Sequence, residues 1–293
     1  MSWRTLFILC FYAISGLSPA QNLEQTLRLA DQMAAAEDWE GALYYYERVL
    51  FFGGESITSQ TWEKVAAVHQ ALDKPEKVID CLDAAYFIAQ TEPRQRALVF
   101  KKARYLISVG RFFEGIAELS ILPDQQLSAE ALQRKKFLLA VGYLGAEDLA
   151  AAERWFLSLV DSSQTAQRTQ IQALFAEVKL RKPKTARTLS TIVPGLGQLY
   201  AGDGKGALNS LGLIGAFVAL GVLFSFEYSI LQSTWTLPWI WRYYLGGRNE
   251  AARAVRRRNG EKKKELYRQL NAIIFESDNG ALLHPGINDQ AWD

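Results

Sequence analysis

Apolar residues along the first two-thirds of the chain recur every three or four positions, the period of helices that bury one face. From Leu23 to about Leu180 almost no proline or glycine interrupts the apolar stretches, and the pattern returns as a phrase. Glu37 to Ala42 leads into Tyr45, Tyr46 and Val49, and Asp73 to Val78 leads into Cys81, Leu82 and Ala85. Gly110 to Gly115 leads into Leu119 and Leu122, and Gly145 to Ala152 leads into Trp155, Phe156 and Leu159. The residue closing each phrase falls at 42, 78, 115 and 152, steps of about 36 to 37.

That spacing predicts pairs of helices. A short polar turn joins them, a small residue early in the second helix lets the first approach, and an aromatic residue or Leu further on fills the gap. The first helix of each pair carries matching positions: Leu27, Ala30 and Met33; Trp62, Ala66 and His69; Val99, Ala103 and Leu106; Lys136, Ala140 and Tyr143. One pair cannot bury its apolar face alone, so several must stack. A last helix, Thr165 to Leu180, is expected to cap the array before Arg181-Lys182-Pro183-Lys184 breaks it. Over about 140 residues the pattern resembles the tetratricopeptide-repeat family. The period here runs longer, and the family's Gly and Tyr in the first helix are mostly replaced. The resemblance implies a right-handed superhelix with a groove for a protein or peptide; a plain helical array without a groove ligand fits the same periodicity.

The pattern then changes twice. Leu208 to Phe226 is an uncharged run of about 19 residues, long enough to cross a hydrocarbon core. Ile230 to Leu245 is shorter and carries Trp235, Trp239, Trp241, Tyr243 and Tyr244 around Pro238, a composition suited to a membrane interface. The first run is expected to span at 208–226, and the second to form a short second span or a re-entrant arm at 229–245. The preceding phrase, Pro194-Gly195-Leu196-Gly197-Gln198-Leu199-Tyr200-Ala201-Gly202 and then Asp203-Gly204-Lys205-Gly206-Ala207, resembles a small bacterial two-helix membrane module. Its signature is Pro-Gly-x-Gly-Gln-x-Tyr-x-Gly before a Gly- and Ala-rich span, and Pro194, Gly195, Gly197, Gln198, Tyr200, Gly202, Lys205 and Gly206 occupy its positions. The resemblance covers about 70 to 90 residues. It implies membrane embedding and no particular activity. The phrase itself reads as a local device: Pro194 and the glycines let the chain bend and pack against the span at the membrane surface, where Gln198 and Tyr200 supply polar contacts. A phosphate-binding loop is not indicated, because the G-K-[ST] order is absent and no strand precedes the glycines.

Beyond the second run, Arg253, Arg256, Arg257, Arg258, Lys262, Lys263 and Lys264 crowd one stretch whose apolar positions are Ala251, Ala254, Val255, Leu266, Leu270, Ile273 and Ile274. An amphipathic basic helix at 251–277 is expected, its cations facing anionic lipid; a merely solvated basic face is the alternative. One crossing would put this cluster on the side opposite the repeats, and two would return it to theirs.

Composition narrows the chemistry. The 293 residues carry a formal net charge of +2, so nothing global marks a nucleic-acid binder. Residues 1–20 order Arg4, an apolar run from Leu6 to Ile14 and then Ser18-Pro19-Ala20, as a cleaved export signal does; an uncleaved anchor is the alternative. Cys10 falls inside that signal, which leaves Cys81 alone, and His69 and His284 lie far apart, so neither a disulfide nor a metal site is expected. Cys81 and His69 read as packing residues, not a catalytic pair. The expected organisation is all-α: signal 1–20, tetratricopeptide-like repeats 21–180, membrane module 181–250, basic helix 251–277 and a flexible tail 278–293. The expected role is a scaffold of the bacterial inner membrane, its repeats exported to the periplasmic side, binding a protein partner and lipid. No catalytic, cofactor or metal residue is assigned, and an assembly subunit acting through its hydrophobic hairpin is the rival reading.

Overall fold

The computed structural model describes residues 22–227 and 234–275, and every described element is helical. The expected signal and tail, and part of the second apolar arm, lie outside these residues. The chain divides between Lys102 and Ala103 into two compact units.

The first unit holds α1 (Leu23–Ala35), α2 (Trp39–Phe52), α3 (Ser59–Ala71), α4 (Pro75–Ile88) and most of α5 (Glu92–Ser108), the helix in which the division falls. Side-chain caps start three of these helices by accepting otherwise unpaired backbone N–H groups. Asn22 accepts from Gln25 N, Asp38 from Gly41 N and Thr58 from Thr61 N. Pro75 opens α4, where its missing N–H costs nothing. The core is small and apolar, with Ala30, Ala42, Tyr46, Val65, Ala66, Val78, Leu82 and Ala85 all buried. Charged pairs tie helices together: Lys64 Nζ reaches both Asp31 oxygens at 2.8 and 2.7 Å, Tyr46 OH donates to Asp31 at 2.6 Å, and Glu63 receives Arg94 and Lys101.

One turn recurs along the chain. Glu37, Asp73, Gly110 and Glu147 are all in the left-handed region, with φ of 60°, 53°, 78° and 65°. The residue after each donates to a carbonyl five positions back: Asp38 to Met33, Lys74 to His69, Arg111 to Leu106, and Asp148 to Tyr143. This is the Schellman closure of a helix end. It joins α1 to α2, α3 to α4, α5 to α6 (Phe112–Ser120), and α7 (Ala129–Gly145) to α8 (Leu149–Leu157). Ala30, Ala66, Ala103 and Ala140 face the partner helix at equivalent positions, each no more than 2% exposed. At 115 the small residue is obligatory, because a Cβ would stand 2.7 Å from Ile107 Cγ1 and 3.0 Å from Ala103 O.

The second unit continues with α9 (Thr165–Glu177), α10 (Pro183–Ile192), α11 (Leu196–Ala201), α12 (Gly204–Glu227) and α13 (Leu237–Phe275). The expected break between an aromatic arm ending at 245 and a basic helix starting at 251 does not occur. α13 is one helix of 39 residues. Pro238 sits in its first turn, where proline is tolerated, and no later proline interrupts it. The apolar face of its basic half is also not free for lipid. Ala251, Ala254 and Val255 pack with Ala186 of α10 and Ala201 of α11. Leu266 and Leu270 are buried, and Phe275 lies 5.6 Å from Phe137 of α7.

α12 and the start of α13 run antiparallel. Gly221 faces Thr236, Phe217 stacks on Trp239 and Tyr243, and Ser210 lies beside Gly247. Paired positions keep nearly the same sum, which is the register of a hairpin. At 24 residues, α12 is about 36 Å long. It is apolar enough to cross a membrane, and none of its residues is buried.

Candidate functional site

The glycine-rich phrase folds into the base of this hairpin. Pro194 ends the approach to a tight turn. Gly195 there takes φ 89°, and a Cβ on it would meet Ala207 O at 2.5 Å. Gly197 is closer still to its neighbour helix, since a Cβ would stand 2.0 Å from Ala186 O and 2.4 Å from Ser190 Oγ. α11 can therefore lie directly on α10. Gly202 closes α11 with φ 87°, and Asp203 then caps α12 by accepting from Gly206 N at 2.9 Å. Lys205 projects into the open from the first turn of α12.

Gln198 is the hub. It is fully buried within the protein. Its Nε2 donates to Ser210 Oγ at 2.8 Å on α12 and to Gly247 O at 3.0 Å on α13. Its Oε1 accepts from Ser190 Oγ of α10 at 3.0 Å, and Ser190 Oγ accepts from Gly197 N at 3.0 Å. One amide thus joins four helices with both of its donor hydrogens used, in a dry setting where such bonds are strong and orphaned groups are costly. Tyr200 has a different job. The Arg181 guanidinium lies over its ring and donates to its carbonyl, and Lys182 N donates to its hydroxyl at 3.4 Å.

A second clip holds the basic half of α13. Asn259 is 1% exposed; it accepts from Arg181 N at 3.0 Å and donates to Arg181 O at 2.9 Å and to Glu147 at 3.2 Å. Lys263 is buried beside it, donating to Gly145 O at 3.3 Å, with its ammonium 3.8 Å from Glu147 and 5.9 Å from the centre of the Phe112 ring. Burial holds its pKa below the ordinary lysine value, against the opposing pull of Glu147. Lys263 therefore does not face lipid. It helps terminate α7, where a cation suits the helix C-terminus. Lys262 is half-buried and donates to Lys179 O at 2.8 Å. Arg253, Arg256, Arg257, Arg258 and Lys264 remain exposed. Three of them pair with their own helix: Arg253 and Arg257 with Glu250, and Arg258 with Glu261.

Sequence reasoning found Gln198 and the glycines but not their partners. Ser190, Ser210, Gly247 and Asn259 carry no motif. Asn259 and Lys263 did leave a signal, for they continue the stripe Ala251, Val255, Asn259, Lys263, Leu266, Leu270 at helical spacing.

Cys81 and His69 are both buried in the first unit. Burial pushes the Cys81 thiol up to about 11, away from the reactive thiolate. His69 is held below its usual pKa by burial first and then by Lys74, and its Nδ1 has no hydrogen-bond partner among the described residues. No protein-family model, curated protein or solved structure matches this chain.

Proposed function

We propose that this is a membrane-anchored scaffold whose helix pairs form a tetratricopeptide-like array that binds a protein or peptide, held at the bilayer by the α12–α13 hairpin. The observation that carries this reading is the exposure of α12. A 24-residue apolar helix with no buried residue presents a long contiguous apolar face, the kind of surface that marks a membrane or partner contact. Bilayer lipid removes that cost. Because α13 returns alongside α12 and then docks on α7, α9 and α10, the hairpin enters and leaves on one side. The repeats and the basic tail share that side. The signal-like first 20 residues and the resemblance of the 194–206 phrase support an exported, envelope setting at a bacterial inner membrane. No catalytic role is assigned.

Alkaline carbonate extraction of membranes tests the anchor. The full chain stays in the pellet, whereas a variant with residues 211–246 replaced by a short Gly-Ser loop moves to the supernatant. Release of the full chain by carbonate would overturn the reading. One observation favours the rival role of assembly subunit: a Cβ on Gly212 or Gly215 would meet nothing within 4 Å, so a partner helix could approach α12 closely there. Under that role Gly212→Leu/Gly215→Leu stays in the membrane but loses its complex.

A further inference from the structure

The cations of the second unit fall into two groups. Several on the far half of α13 have carboxylates in reach, as Arg253 and Arg257 do in Glu250 and Arg258 does in Glu261. Among the described residues, those at the hairpin base make no carboxylate pair. Arg187 of α10 donates to a neutral group, Asn249 Oδ1, at 2.9 Å. Arg248, the neighbour of Asn249, lies 5.8 Å over the Tyr244 ring, and its Nε is buried with no hydrogen-bond partner among the described residues. The Tyr244 hydroxyl donates to Thr191 O at 2.6 Å, one turn along α10 from Arg187. Both arginines thus lie along one side of the α10–α13 contact, at the level where the apolar hairpin begins. Lys184 and Lys205 are exposed in the first turns of α10 and α12. Glu250, next in sequence to Asn249, pairs with Arg253 and Arg257, and Asp203 is engaged in capping α12.

We propose that Arg187 and Arg248 form a binding site for the phosphodiester of an anionic phospholipid, with Lys184 and Lys205 adding to the local field. The site rests on the membrane reading above, which puts the headgroup layer at this level. A planar guanidinium suits a phosphate oxygen pair, and an Arg N–H that has left water needs an acceptor that the described residues do not supply. The ligand is the phosphate of a lipid already in the bilayer, not a soluble anion, because Leu208 and Leu211 of α12 are exposed where, on that reading, they meet acyl chains. The paired cations from Arg253 onward are secondary, which reverses the emphasis their density in the sequence suggests.

The test uses the full chain in vesicles and the fluorescence of Trp235, Trp239 and Trp241 in the hairpin. Quenching by brominated phosphatidylglycerol is compared with quenching by brominated phosphatidylcholine, which gives a relative lipid affinity at the hairpin surface. The wild type is expected to prefer the anionic lipid by roughly fivefold, about the effect of one well-placed surface cation. Arg187→Gln/Arg248→Gln should bring the ratio to about one, while Arg256→Gln/Arg257→Gln leaves it unchanged. Equal quenching by both lipids in the wild type overturns the site but leaves the anchor standing. No quenching by either overturns the anchor itself. A preference that survives Arg187→Gln/Arg248→Gln, or is lost equally in Arg256→Gln/Arg257→Gln, overturns the assignment. Loss of the preference in inorganic phosphate at constant ionic strength would show a soluble-anion site instead.

Discussion

Gly197→Ala adds one methyl group at the tightest point of the hairpin base. The new Cβ would stand 2.0 Å from Ala186 O and 2.4 Å from Ser190 Oγ, where ordinary contact needs at least 3.4 Å. The obstacle is backbone, so no rotamer change relieves it, and α11 must move off α10 by more than an ångström. That movement stretches the 3.0 Å bond from Gly197 N to Ser190 Oγ and pulls Gln198 away from its three partners. Overpacking costs about 1–3 kcal/mol and each weakened buried hydrogen bond about 1 kcal/mol, so a loss of roughly 3–5 kcal/mol is expected. Gly212→Ala is the matched control: the same methyl meets nothing within 4 Å, and alanine is the better helix former by about 1 kcal/mol. Thermal unfolding in detergent micelles, followed by circular dichroism, reads both. At about 2–4 °C per kcal/mol, Gly197→Ala should melt roughly 6–20 °C below the wild type, and Gly212→Ala at or slightly above it. If the two variants melt together, the tight contact of α11 with α10 is wrong, and with it the role given to Gln198.

Glu37 is exposed and left-handed without the freedom of glycine, so Glu37→Gly should stabilise the first unit by about 0.5–1 kcal/mol in urea unfolding; a loss would contradict the Schellman geometry there. His69 is buried with its pKa lowered from 6.5, so the unfolded chain takes up its proton first. Stability of the first unit should fall as pH drops below 6.5 toward the lowered value, and His69→Gln should flatten that slope in pH-resolved denaturation. Cys81 is 4% exposed with its thiol near 11, so at pH 8 it should react with maleimide at least about a hundredfold more slowly in the folded chain than in urea. Equal rates would place it outside the core.

The helix pairs were legible because their signal is local: four polar turns at steps of 36, 37 and 37 mark the same left-handed residue in each. The uncharged run was legible from length alone, as α12. The hairpin base was legible only in part. Its glycines announce close approach, but what they approach is Ala186, eleven residues upstream of Gly197, and Gly247, forty-nine downstream of Gln198. The basic stretch was legible only in part for a related reason. Seven cations in a short span suggest a lipid-facing surface, yet the helix carrying them also holds Asn259 and Lys263 on its apolar stripe. There, long-range contacts with Glu147, Gly145 and Arg181 decide its placement. α13 runs unbroken through Gly246 and Gly247, and what ties it to α11 there is the backbone carbonyl of Gly247, which accepts from Gln198.

The claim that the chain enters and leaves the bilayer on one side is tested most directly by labelling two single cysteines in intact cells with a membrane-impermeant maleimide. They are Asp161→Cys beside the last helix pair and Arg256→Cys on the exposed face of α13, each in a Cys81→Ala background. The account predicts that both sites react, and to the same degree. Reaction at 161 with protection at 256, reversed only by a permeant reagent, would mean a single crossing and would contradict the docking of α13 on the repeats.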